Sequence, residues 1–142
     1  MIKSAGGKVK KLHKHLTYFR VLEAFKTAKE CALCVLEKDA VHKYFDMLLY
    51  ESVNDVGIRS ELARSKGYCN RHAFFLFGFG DGLGTAILYQ DQLNLALDIL
   101  PSLAKRSVKA DIILNHPLCP ACKKQTEARK QYITMFLDGL SE

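Results

Sequence analysis

The sequence predicts an all-α protein, a compact bundle of about six helices made of one complete unit plus the first helix of a repeat. Three observations carry this reading. Apolar residues recur at helical spacing along most of the chain, no stretch shows the two-residue alternation of a half-buried strand, and one helix-sized segment recurs after a shift of 88 residues. With 142 residues, 49% of them apolar, the chain is one domain's worth and buries a real core. Only 3 Pro and 9 Gly exclude collagen-like and low-complexity classes.

Residues 1 to about 15 hold Gly6, Gly7 and a run of lysines with little apolar content, and read as a basic flexible arm. Residues 16–142 then form a single helical metal-binding domain. Leu16, Phe19, Leu22 and Phe25 recur at three-residue spacing and start the first helix. A stronger helix is expected from Ala32 to Val53, with Leu33, Leu36, Ala40, Tyr44, Met47 and Leu48 on its apolar stripe. Asn54 and Asp55 stop it. Asp55 is a natural N-cap for a short helix over 56–65, and Gly67 marks where that helix ends.

Cys69 opens the next helix, in which Phe74, Phe75, Leu76 and Phe77 place apolar side chains on nearly all sides and predict a central position. The glycine-rich run from Gly78 to Gly84 fits no Gly-x-Gly-x-x-Gly and follows no strand, so a helix–helix connection is the better account than a phosphate loop. Another amphipathic helix is expected over 85–100, broken by Pro101, and a shorter one over 102–114. A loop at His116-Pro117 leads to Cys119, which starts the last helix, running to about Leu140.

The charge is uneven. Lys3, Lys8, Lys10, Lys11, Lys14 and Arg20 carry six positive charges in the first twenty residues with no acid among them, which accounts for the whole formal charge of +6. Such an arm can attract phosphates, so nucleic acid is one candidate partner, although no base-reading pattern accompanies it and a solvated tail is the blander account. No apolar run reaches the roughly 18 residues of a membrane span, and the basic N-terminus lacks the apolar stretch of a secretory signal. The expectation is a soluble cytoplasmic protein with no membrane association.

The five cysteines fall in pairs: Cys31-x2-Cys34, Cys69-x2-His72 and Cys119-x2-Cys122. Two donors three residues apart at a helix start project from one face and reach one ion, and the positive end of the helix favours thiolate. Cys31, Cys34, Cys69 and His72 are therefore the expected metal ligands, three thiolates and one imidazole suited to tetrahedral zinc. The 34 residues between these pairs fit two helices that return the second pair to the first. Cys119 and Cys122 are left as a half-site, with His116 as a third candidate ligand and a homodimer through the last helix as one way to complete it.

The competing class is redox chemistry: Cys119-Pro-Ala-Cys122 as a dithiol, or an iron–sulfur cluster on the several thiols. The dithiol motif lacks the preceding strand of thioredoxin-like proteins, and mixed Cys/His clusters are less common than all-thiolate ones. Asp39-x2-His42 has the spacing of a carboxylate-bridged iron motif, but its required second copy is missing. His13 and His15 lie in the basic arm. No catalytic triad, paired carboxylates or nucleotide loop is present, so a binding or regulatory module is favoured over an enzyme.

The repeat places Cys31, Cys34, Ala40, Tyr44, Met47 and Leu49 on Cys119, Cys122, Ala128, Tyr132, Met135 and Leu137. Together with Met47-Leu-Leu-Tyr-Glu-Ser-Val-Asn-Asp55, Arg59, Gly67-Tyr-Cys-Asn-Arg-His72 and Gly84-Thr-Ala-Ile-Leu-Tyr-Gln-Asp91, these motifs resemble those of an uncharacterised prokaryotic family. Its members carry repeated Cys-x2-Cys and Gly-x-Cys-x2-His pairs in a helical domain. The resemblance runs from Cys31 to the C-terminus; it implies a duplicated helical unit and metal binding, and supplies no activity. Ala32 stands where such motifs often have Pro, as at Pro120, and no second Cys-x2-His follows Cys122.

Overall fold

A computed structural model describes residues 5–104 and 117–140. The described chain is all-α, with helices α1 (Ala5–Thr27), α2 (Ala32–Met47), α3 (Val56–Arg64), α4 (Asn70–Phe77), α5 (Gly82–Ala104) and α6 (Pro120–Leu140). A π-helical turn, Leu48–Ser52, extends α2. No strand occurs among the described residues. Among the described residues no helix is long and apolar enough to cross a membrane. The chain groups into two compact units, Met1–Val41 with Gln125–Glu142, and His42–Lys124.

The first unit is held by Val21 of α1, Leu36 of α2 and Tyr132 of α6, all buried, with Ala24, Leu33, Ala40, Ala128, Met135 and Phe136 packed around them. Phe25 stacks on Phe136 with ring centroids 4.6 Å apart. Glu37 is buried, and burial of a carboxylate demands compensation. Arg129 supplies it through a two-pronged contact of 2.6 and 2.7 Å, and Gln125 Nε2 donates a further bond of 2.8 Å. Arg20 pairs with Asp39 on the surface of the same unit.

The second unit is built around Phe45, which is fully buried and meets the rings of Tyr68, His72, Phe75 and Phe79. Leu48, Leu62, Leu76 and Leu88 supply a buried leucine from α2's extension and from each of α3, α4 and α5. Arg59 of α3 grips Asp91 of α5 with two bonds of 2.7 Å. The predicted cap is present: Asp55 Oδ1 accepts the Ile58 N–H at 2.8 Å and starts α3.

Several features depart from expectation. α1 begins at Ala5, eleven residues before the apolar spacing starts at Leu16, because the lysines and leucine there are good helix formers with no proline to stop them. On α1 the buried side carries Thr17 and Val21, while Leu16 and Phe19 are more than half exposed. Likewise Met47 lies outside on α2 and Phe45 takes the interior place. α4 is not apolar-buried all round: Phe74 and Phe77 are exposed, and only one face, with His72 and Leu76, is interior.

Pro101 does not end α5, which runs through it to Ala104. Proline frees the carbonyl four residues back, and Leu97 lies on an exposed face where water can satisfy it. The helix expected over 102–114 and the His116 loop fall outside the described residues beyond Ala104.

The core assignment makes a contrast that denaturant unfolding can read. Phe45→Ala is expected to cost about 3–5 kcal/mol, whereas Phe74→Ala on the exposed face of α4 should stay within about 0.5 kcal/mol of the parent. Equal losses would contradict the burial pattern.

Candidate metal centre

The second unit brings Cys69, His72, Cys119 and Cys122 together, with their ligand atoms all within 4.8 Å of one another. Local sequence explains how each pair is presented. α3 ends at Leu62–Gly67 in a double-bonded stop: Gly67 N–H donates to the Leu62 carbonyl at 2.9 Å and Lys66 N–H to that of Ala63 at 3.1 Å. Lys66 and Gly67 both adopt positive φ, 55° and 92°, which turns the chain sharply. Cys69 then takes extended backbone as the N-cap of α4, and its carbonyl accepts the Ala73 N–H at 2.9 Å. One helical turn on, His72 projects from the same face.

The other pair arrives in the same way. Cys119 precedes α6, its carbonyl accepting the Lys123 N–H at 3.0 Å. Pro120 is the first helical residue, a position where its missing N–H costs nothing. Cys122 lies one turn further on.

His72 Nδ1 is 3.3 Å from Cys69 Sγ, 3.3 Å from Cys122 Sγ and 3.7 Å from Cys119 Sγ. Cys69 Sγ is 3.6 Å from Cys122 Sγ. These four of the six donor–donor edges, 3.3–3.7 Å, lie close to the spacing a tetrahedral ion needs: about 2.3 Å to sulfur and about 2.0 Å to nitrogen sets edges of about 3.5–3.8 Å. All five cysteines are free thiols. His72 and Cys119 are buried; Cys69 and Cys122 are half-buried and line a crevice with Gly67 and Pro117, which leaves an entry path.

The thiols polarise one another. Burial pushes Cys69 up, but the His72 backbone N–H and hydrogen bonds from Cys122 and Cys119 outweigh it and hold Cys69 below the ordinary thiol value. Burial, then the hydrogen bond with Cys69, pushes Cys122 up to about 12. Across the Cys69–Cys122 edge, Cys122 therefore holds its proton more tightly than Cys69. Arg71 approaches His72 Nε2 at 3.5 Å, at the far limit of a hydrogen bond, so it does not lock the imidazole tautomer. A metal on Nδ1 requires the proton on Nε2.

Cys69 and His72 are thus two of the four ligands expected from sequence. Cys31 and Cys34, the other two, lie in the first unit at the start of α2, both exposed, and are not members of this cluster. Cys119 and Cys122, expected as a separate half-site, lie beside Cys69 and His72 in their place. His116 lies outside the described residues.

The physical reason is that all three pairs sit at equivalent helix starts, and chain length barely discriminates between them. Closing 46 residues instead of 34 costs only about 0.3 kcal/mol more. Asp39 is engaged by Arg20, and the His42 ring packs against Phe75 and Phe79, so neither shows the geometry of an iron ligand. Tyr89 Oη, missed in the sequence, is buried without a hydrogen-bond partner among the described residues, and its hydroxyl is pushed up by burial and by the Cys119 and Cys69 thiols.

The fold and the cluster define an all-α protein with a four-donor site able to hold one metal ion. The chain belongs to a family of unknown function, DUF6062, whose pattern it matches over residues 12–140. It is similar to an uncharacterised 23.9 kDa protein in the xynA 3′ region of Caldicellulosiruptor sp. (strain Rt8B.4), with 36% identity over 121 residues and 82% of this chain covered. The chain spans 55% of that relative's length. No solved structure matches.

The difference between Cys69 and Cys122 is open to test in protein stripped of metal by a chelator. Near pH 8, alkylation followed by peptide mass spectrometry should modify Cys69 well before Cys122, since only the thiolate reacts and Cys122 keeps its proton until much higher pH. Equal rates, or the reverse order, would contradict the geometry.

Proposed function

We propose that Cys69, His72, Cys119 and Cys122 hold one zinc ion in a closed structural site, and that the protein is a small helical zinc-binding module serving binding or regulation rather than catalysis. The observation that supports this most is the set of donor–donor distances, which fit a single tetrahedral ion. Three thiolates and an imidazole are soft donors that select against magnesium and calcium. Donors this close enclose one ion, whereas a multi-iron cluster needs its sulfurs further apart to surround several metals. Four protein ligands also leave no open coordination position for substrate or water, which is the mark of a structural rather than a catalytic zinc.

In this reading the ion pins the start of α4 to the start of α6 and offsets the burial of His72 and Cys119. A structural zinc contributes on the order of 10 kcal/mol in finger peptides, enough to decide whether a small unit folds. The cation-rich first twenty residues offer such a module a means of engaging an anionic partner.

Protein purified without chelator should contain zinc, and Cys119→Ala or Cys122→Ala should release it and lower the melting temperature by at least about 10 °C. A zinc-selective chelator should bring the parent protein down to the same melt. An unchanged melt and unchanged zinc content in both variants would overturn the assignment.

A further inference from the structure

The cluster uses two of the three paired-donor helix starts, and the third is built to the same pattern. Cys31 precedes α2 as Cys119 precedes α6, and the first helical residues, Ala32 and Pro120, are themselves 88 residues apart. The Cys31 carbonyl accepts the Val35 N–H at 3.1 Å, the counterpart of the Cys119–Lys123 bond at 3.0 Å. Cys31 Sγ also accepts the Cys34 N–H at 3.2 Å, so the sulfur already lies in the field of the helix start.

The repeat extends beyond the cysteines. Ala40 and its repeat counterpart Ala128 both pack against the buried core of the first unit, Val21, Leu36 and Tyr132, so both copies of the helix are anchored in packed structure. Both thiols are exposed. These solvent-facing thiols at a helix start thus have repeat counterparts that lie among four clustered donors.

We propose that Cys31 and Cys34 form a second metal site, a two-thiolate half-site for zinc or a similar borderline cation, open at its remaining positions. This rests on the zinc reading of the four-donor cluster, since the repeat transfers that reading to Cys31 and Cys34. The ion binds by displacing two thiol protons and no electron changes hands. With two protein donors in place, water holds the remaining positions, and the site binds more weakly than the closed one.

Cobalt(II) titration tests it, because sulfur-to-cobalt absorption counts thiolate-bound ions and tetrahedral bands report geometry. The parent chain is expected to take up two cobalt ions, the second at least tenfold more weakly. The Cys31→Ser/Cys34→Ser variant should keep the tight ion and lose the weak one. Cys119→Ser/Cys122→Ser should do the opposite.

Size-exclusion chromatography of the cobalt-loaded parent separates two ways of filling the half-site. Both support the proposal: a monomer keeps water on the second ion, while a dimer dependent on Cys31 and Cys34 draws its remaining donors from another chain. Identical uptake by the parent and the Cys31→Ser/Cys34→Ser variant would overturn the half-site. Loss of all cobalt from the Cys119→Ser/Cys122→Ser variant would also overturn it, as the weak ion would then depend on the other pair. Failure of the tight site alone would show as a Cys31→Ser/Cys34→Ser variant that binds no cobalt at all.

Discussion

Three sulfurs and an imidazole nitrogen within 4.8 Å of one another form the constraint on which the second unit depends. Polar, ionisable groups crowded at a largely buried place are costly unless something satisfies them together. Pairwise contacts do this only partly: Cys69 gains hydrogen bonds as Cys122 is forced to keep its proton. A single dication would satisfy all four donors at once and remove the competition for a proton. Because the two pairs are separated by 46 residues of chain, bringing them together is a long-range closure that local helix propensity cannot specify.

The surrounding fold serves that closure with simple devices. A left-handed turn at Lys66 and Gly67 ends α3 and delivers Cys69 in extended backbone. Phe45 and its ring of aromatic neighbours support His72 from behind. Arg59 and Asp91 join α3 to α5 through paired bonds, a planar match that a lysine would not reproduce. A side chain at Gly84 would meet the ends of the Asp81 and Leu49 side chains, which would have to shift, and Asp81 accepts the Gly84 N–H. The glycine run is a helix–helix connection in which Gly80, at φ 73°, turns the chain towards α5.

Much of this was legible in the sequence. The Asp55 cap, the stop at Gly67, the helix starts at Cys69 and Cys119 and the all-α class all follow from local chemistry, and local chemistry is what sequence patterns record. The partner of the Cys69/His72 pair was not legible. Cys31/Cys34 and Cys119/Cys122 have the same spacing and the same helix-start context, and their difference in loop entropy is far smaller than any packing term. Which face of each helix turns inward was only half legible. Phe74 and Phe77 are as apolar as Phe45, and only the neighbours that tertiary structure provides decide that Phe45 is the buried one. Pro101 misled for a related reason, since the cost of proline in a helix depends on whether the freed carbonyl faces water.

Family membership adds no activity to this picture, because the family itself has no known function. The weight therefore falls on the chemistry of the site. Its central claim is best tested by X-ray absorption at the zinc edge, on protein loaded with one zinc per chain. The account predicts a four-coordinate first shell of three sulfurs at about 2.3 Å and one nitrogen at about 2.0–2.1 Å. A shell of oxygen and nitrogen without sulfur, or one of four sulfurs, would contradict it.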